Sequence, residues 1–369
     1  MKKKPVSKPS NLVKKKRKVE MLNYEYYSLR SILGYVWAMF IFLLGGREAG
    51  KSYAVTKLFV HQFLKYGRPF YWLRLSETSM RKLLMNNAEN LVDPDIRRLY
   101  HLDLVTNGNC VYMVTRRSEP DKNGKTRILE KKLMARVLCL ATYYNDKGSG
   151  LFDKDFLNDP NMYYNICLDE MNREPNEKNS FDIVYSFANQ IENLIRSTKK
   201  RVRIICIGNT LQEASDILST FEFIPEDFGR YKLRKKRAVI DYIPLTEKYK
   251  QRREGTAASI LAPTASTFTN EIKVDKTLVN KKRLTRPTAI ISFGKGDNDK
   301  FTLWDDSVIA KYHHEHVRDI AMRPYLDLPF QVEIRDNIIQ RFDLRNFTYR
   351  DLVTFKLFQK QVELLKPRK

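Results

Sequence analysis

Gly45-Gly46-Arg47-Glu48-Ala49-Gly50-Lys51-Ser52 is the stretch on which the fold turns. It fits G-x-x-x-x-G-K-[ST] at every fixed position. The residue types follow from what such a loop has to do. Glycines let backbone N–H groups curl around phosphate oxygens. A helix that starts where the loop ends points its positive pole at the same anion. Lys51 is placed to reach the β- and γ-phosphates, and the Ser52 hydroxyl to ligate Mg²⁺. The flanks agree: residues 40–44, Phe-Ile-Phe-Leu-Leu, are a continuous apolar run of the kind a buried strand needs, and residues 52–64 read as a helix. The bland alternative is a glycine turn that merely ends a strand.

Outward from the loop, apolar strands alternate with helical stretches up to about residue 215. Residues 70–75, 163–168 and 202–207 are further buried strands. Residues 181–195 are an amphipathic helix with Ile183, Val184, Phe187, Ile191 and Ile195 near helical spacing. Asn107-Gly108 and Asn123-Gly124 mark hairpin turns in a β-rich stretch over 101–142. This alternation predicts an α/β domain built on a mainly parallel sheet. The strand 163–168 runs into Asp169-Glu170. Downstream of a phosphate loop, Asp169 is expected to hold Mg²⁺ through water and Glu170 to polarise the attacking water. Residues 202–207 run into Gly208-Asn209-Thr210, where Asn209 is either a sensor of the γ-phosphate or an ordinary strand-ending turn residue. Arg196 follows the amphipathic helix; it is either a cation favoured at a helix C-terminus or a transition-state cation given to a neighbouring subunit. Lys147, in Asp-Lys-Gly-Ser-Gly, poses the same choice against a solvated loop lysine.

The chain has 369 residues, which suggests two or three domains. Hydrophobic residues at 43% exclude wholesale disorder, and 14 Gly with 14 Pro exclude collagen-like sequence. With 67 Lys+Arg against 43 Asp+Glu the formal net charge is +24, which predicts a polyanionic partner. Cys110, Cys139, Cys167 and Cys206 form no CxxC pair and sit in or beside apolar runs, so reduced thiols are expected rather than a zinc or redox site. The apolar run 32–44 after a basic start imitates a signal peptide, but it is too short to span a bilayer as a helix and leads into the phosphate loop. No membrane partner is expected.

Residues 1–20 are a basic arm with nine Lys or Arg and no acid before Glu20. Residues 14–18 resemble a nuclear localisation signal; the alternative is a disordered arm that binds phosphates without specificity. Residues 216–255 read as a basic linker, since 230–254 hold ten basic residues against three acidic ones. Residues 256–369 then form a smaller domain. It has strands at 288–293 and 301–304 and a closing helix from about 348, with Thr348 and Asp351 as a capping pair. His313, His314, Glu315 and His316 tempt as a metal cluster, but no further His or Cys completes a site, and no metal is expected there. Asp297, Asp299, Asp305 and Asp306 tempt as a two-metal nuclease, yet they crowd one loop and a neighbouring strand end, and a polar turn is the better expectation.

Residues 42–54, with Arg47 inside the loop, resemble the P-loop of the DNA-packaging (encapsidation) ATPases of the phi29-like small tailed phages, relatives of the large terminases. Further matches follow in the same order: residues 70–74 with the Arg after the second strand, 142–149 with Lys147, Leu168-Asp169-Glu170-Met171, and Arg196 through Asn209. The resemblance covers 21–215 well and the rest by order and size. It implies an ASCE-type P-loop ATPase domain followed by a smaller α+β RNase H-like domain that has lost its nuclease carboxylates. The acid-free strand at 288–293 agrees with that. It implies an ATP- and Mg²⁺-dependent motor, a homopentameric ring on the portal vertex of a capsid in the host cytoplasm, driving double-stranded DNA inward, with or without a structural RNA. Arg196 and Lys147 would then act across subunits and Asn209 would sit in the coupling region. Two rival functions are another P-loop helicase or translocase and a DNA-binding scaffold with a silent loop; a third is a terminase with its own nuclease.

Overall fold

The computed structural model describes residues 26–116, 127–148, 163–172, 181–195, 201–209, 215–244, 246–261, 276–285, 287–313 and 324–366. The basic arm, Arg196 and the His314-Glu315-His316 run lie outside the described residues, as does the turn expected at Asn123-Gly124.

A large sheet is built from β1 (Phe40–Leu44), β2 (Phe70–Arg74), β3 (Leu104–Asn107), β4 (Cys110–Arg116), β5 (Ile128–Cys139), β6 (Tyr164–Asp169), β7 (Val202–Gly208), β8 (Gly229–Leu233) and β9 (Ala238–Tyr242). Their spatial order is β3-β4-β5-β2-β6-β7-β1-β9-β8. From β5 across to β9 all neighbours are parallel, and an antiparallel strand or hairpin closes each edge. The inner strands are buried on both faces, which is why they read as unbroken apolar runs. On one face Phe42, Leu44, Ile166 and Leu168 pack with Phe187 and Leu194 of the helix Ile183–Ile195. On the other, Ile41, Leu43 and Cys167 pack with Val55, Phe59 and Phe63 of the helix Lys51–Tyr66. The result is a three-layer α/β/α domain. Here β7 lies between the P-loop strand β1 and the acidic strand β6, the arrangement expected of an ASCE-type sheet.

The stretch expected as a basic linker departs from that reading. Ala238–Tyr242 is fully buried and pairs in parallel with β1, from Phe40↔Ala238 to Leu44↔Tyr242. Its basic neighbours sit on the exposed edge strand β8 and the turn that follows, so the charge count concealed an apolar strand. Asp241, the acid within that strand, is held by the Tyr27 hydroxyl at 2.6 Å and by Arg230 at 2.7 Å.

The second sheet contains β10 (Pro287–Ser292), β11 (Lys300–Trp304), β12 (Val308–Lys311), β13 (Tyr325–Asp327) and β14 (Thr348–Tyr349), in the order β13-β10-β11-β12-β14. β10, β11 and β12 form an antiparallel meander, and β13 lies parallel to β10. The closing helix is Leu352–Leu365, capped by Asp351 alone, which accepts from the Thr354 N–H at 2.7 Å; Thr348 belongs to β14 instead. That helix joins two cores. Leu352 and Val353 pack with the large sheet, and Phe358 and Val362 with the small one. Lys356 and Lys360 pair with Asp216 and Asp182 of the large domain at 3.4 and 3.1 Å. Among the described residues no helix is long and apolar enough to cross a membrane.

Candidate active site

The P-loop leaves β1 at Leu44 and enters the helix Lys51–Tyr66, so its amides curl above the carboxyl end of the parallel strands, where ligands of such sheets bind. Gly50 caps the helix with φ 82°, a left-handed conformation that a side chain strains, and an added Cβ would meet Tyr26 at 3.3 Å. A Cβ on Gly45 would lie 3.1 Å from Ile243. The two glycines are therefore fixed by backbone geometry and close packing.

Lys51 folds back into the loop and donates to the carbonyls of Gly45 and Gly46 at 2.9 and 2.6 Å. Burial lowers its pKa to about 8; Asp169 pulls it up and Arg47 pushes it further down. A buried ammonium so poorly solvated gains a good deal from meeting a phosphate. The Ser52 hydroxyl donates to Asp169 at 3.2 Å. Asp169 is buried, and burial raises its pKa, with Arg74 opposing and Glu170 adding to the rise. Arg74, at the end of β2, pairs with Asp169 at 2.9 Å and with Glu170 through its other amino group. Burial would lower the Arg74 pKa, but the two carboxylates outweigh it and raise it. Glu170 itself sits at φ 60° with a 56% exposed side chain, so it projects from the strand end toward solvent while Arg74 holds its carboxylate.

These residues line one cleft of about 410 Å³, in the range of small-ligand sites. Its walls are residues 47–53, Arg74, Asp169, Glu170, Ile207, Gly208 and Asn209. The register explains the convergence: Leu44 pairs with Gly208 and Ile207 with Asp169, so three strand ends meet at one level. Gly208 is confined, because a Cβ there would lie 3.0 Å from Leu44 and 3.4 Å from Asn172. Of the residues expected from sequence, residues 47–52, Asp169, Glu170 and Asn209 come together in the cleft, with Gly45 and Gly46 bound to Lys51 behind it. Lys147 does not. It is exposed, just past the 3-10 segment Leu140–Asp146, whose Asp146 accepts from Gln190 at 3.0 Å. A serine hydroxyl and a buried carboxylate within hydrogen-bond reach are hard oxygen donors, and they suit Mg²⁺.

Two parts of the site are not on the expected roster. Arg74 is one; the resemblance matches it as the Arg that follows the second strand but gives it no role at the site. The second is the helix Glu247–Arg253, which grips the loop from outside. The Tyr249 hydroxyl donates to the Arg47 carbonyl, Arg253 donates to that hydroxyl at 2.7 Å, and Arg252 donates to the Glu48 carbonyl at 2.8 Å. The Tyr27 amide reaches the Ala49 carbonyl at 2.8 Å. Three successive loop carbonyls are thus tied back, which leaves the loop amides free to face an anion.

Over 207 residues the chain is 23% identical to the DNA packaging proteins of Bacillus phages phi29 and PZA, a match over 56% of this chain and 53% of each relative. The chain thus spans about half the length of the curated relatives it matches. The fold is similar to the Phi-28 gp11 DNA packaging motor, with TM-score 0.60, 13% identity and 94% of this chain and 99% of that one covered. It is also similar to the bacteriophage Phi-29 viral genome packaging motor assembly, with TM-score 0.57, 19% identity and 92% and 100% covered. The model of the podovirus DNA encapsidation protein (Gp16) family matches residues 21–310, and the chain belongs to that family.

Proposed function

We propose that this chain is an ATP-driven motor that moves double-stranded viral DNA into a preformed capsid. The observation that carries the reading is the convergence of Lys51, Ser52, Asp169 and Glu170 at the ends of adjacent parallel strands. Phosphoryl transfer asks a protein mainly for positioning and charge neutralisation. The loop amides and Lys51 bind and orient the polyphosphate. Ser52 and Asp169 would hold Mg²⁺, which when bound would supply charge neutralisation. Glu170, at the open side of the cleft, orients the attacking water and takes its proton. For that its carboxylate has to leave Arg74, so Arg74 and Glu170 must part before hydrolysis.

The exposure of Lys147, away from its own chain's cleft, supports a role in a neighbouring subunit's site. Arg196, immediately after the helix Ile183–Ile195, takes the same role, and Asn209 reports on the γ-phosphate from the end of β7. The working form is then a homo-oligomeric ring, a pentamer, docked at the portal vertex of a procapsid in the host cytoplasm, with any structural RNA as a further partner. The second sheet is an RNase H-like domain without nuclease activity. What supports that reading is the strand β10, Pro287–Ser292, which carries no acid. The test is Mg²⁺-ATP hydrolysis with and without duplex DNA. Duplex should raise wild-type turnover and leave Glu170→Gln silent. Stimulation by single strands alone would point to a helicase, and no turnover with any DNA to a scaffold.

A further inference from the structure

The cleft occupies the carboxyl end of the parallel strands. The opposite end of the sheet carries a second constellation that hydrolysis does not use. The turn between β8 and β9 is Arg234-Lys235-Lys236-Arg237, and the Arg237 carbonyl accepts from the Met39 and Phe40 amides at 2.8 and 3.1 Å, which fixes the turn beside the start of β1. Phe40 lies five residues before Gly45, so roughly 16 Å of extended chain separates the turn from the first residue of the P-loop.

Tyr35 and Trp37 lie against this turn, edge to face at 6.1 Å. Lys232 sits 4.7 Å over the Tyr35 ring and Arg234 5.1 Å over the Trp37 ring, and Arg237 donates to the Trp37 carbonyl at 3.5 Å. Lys232, Arg234, Lys235 and Arg237 are exposed, and none forms an ion pair among the described residues. Their neighbours Lys236 and Arg230 are committed, to Glu222 at 3.2 Å and to Asp241. Basic residues on β8 also discourage edge-to-edge pairing. That need is met by charge alone; it does not require two cations perched on aromatic rings. A ring perch orders a long side chain without neutralising it, so the charge stays directed outward.

We propose that this patch binds the phosphate backbone of duplex DNA, on a face of the domain separate from the nucleotide. Each ring carries a cation over one face, which leaves less aromatic surface to stack unpaired bases and favours a phosphate backbone over single strands. The inference rests on the reading that the chain handles viral duplex.

The test is the salt dependence of binding to a short blunt duplex by the full chain, with Lys14, Lys15 and Lys16 all replaced by Gln in every sample so that the arm does not mask the patch. The slope of log affinity against log salt should shrink by about one unit for Lys235→Gln and by up to about three for K232Q/R234Q/K235Q. K232R/R234K/K235R should keep the parent slope, and DNA-free hydrolysis should be unchanged throughout. Lys235 touches no described partner, so its single variant reads the contact without a change of fold. Unchanged slopes in a parent that binds duplex overturn the patch and leave the motor reading standing. Loss of procapsid docking with unchanged slopes overturns it in favour of an acidic protein surface. A parent that fails to bind duplex at low salt sinks the motor reading first.

Discussion

At the end of β6, Asp169 is buried, raised in pKa, bonded to Ser52 and paired with Arg74. Around β10 to β12 the carboxylates have a different fate. Asp305 and Asp306 take φ values of 50° and 57° in the turn that joins β11 to β12, and Asp305 accepts from Thr285 at 2.8 Å. Asp297 pairs with Lys300 at 3.6 Å, and Asp299 accepts from Gln361 of the closing helix at 3.1 Å. The second group are turn-formers, chosen for local backbone geometry. The first is a charge kept out of water, which a fold sustains only with partners or for a task. Acidic residues near a strand end are therefore told apart by burial and by what faces them, not by number.

The sharpest break in the comparison is in turnover. Lys51→Ala should lower ATP hydrolysis on the order of 10³-fold, and Glu170→Gln on the order of 10² to 10⁴-fold with nucleotide binding retained. Phosphate release and nucleotide titration measure the two. Next comes stability. Arg74→Ala leaves Asp169 buried beside no guanidinium, and denaturant unfolding should show a loss of about 3–5 kcal/mol. Millimolar Mg²⁺ should recover part of that loss, since a divalent ion can replace the guanidinium beside Asp169.

Lys51 gives a smaller effect with a defined sign. Its folded pKa of about 8 lies below its ordinary 10.5, so the unfolded chain holds more protons between those values. Nucleotide-free stability should therefore rise with pH across that window relative to Lys51→Met, by at most roughly 3 kcal/mol. The hydrogen bonds lost in the variant shift the curve by a constant and leave this slope untouched. Bound nucleotide should abolish the slope, because a phosphate keeps the lysine charged. At the far end of the scale, Asp305→Asn should change stability by under about 0.5 kcal/mol and leave hydrolysis unaltered.

The same contrast explains what could be read in advance. The P-loop was legible because its chemistry needs glycines, a lysine and a hydroxyl at fixed spacing, and because a strand and a helix frame it. Asp169 and Glu170 were legible because an apolar run ends on them. β9 was obscured: Ala238–Tyr242 is apolar but for Asp241, and the basic turn before it dominated the composition. The Arg74 bridge and the Tyr249 grip on the loop were not legible at all. Each joins residues far apart in the chain, Arg74 to Asp169 and Tyr249 to Arg47, and only the register of β2 with β6 and the placement of β9 beside β1 bring them together. In the smaller domain, Asp351 was legible as a cap, whereas the pairing of Thr348 into β14 depends on β12.

The central claim is that each cleft is completed by a neighbouring subunit. The direct measurement is DNA-stimulated ATP hydrolysis by Glu170→Gln, by Arg196→Ala, and by a mixture of the two. Each variant alone should be silent. The account predicts that the mixture recovers part of the activity, because some interfaces then join an intact Glu170 from one subunit to an intact Arg196 from the next. A mixture as silent as its components, under conditions where the wild-type ring assembles and turns over, would contradict it and place Arg196 within its own chain's chemistry or outside the reaction.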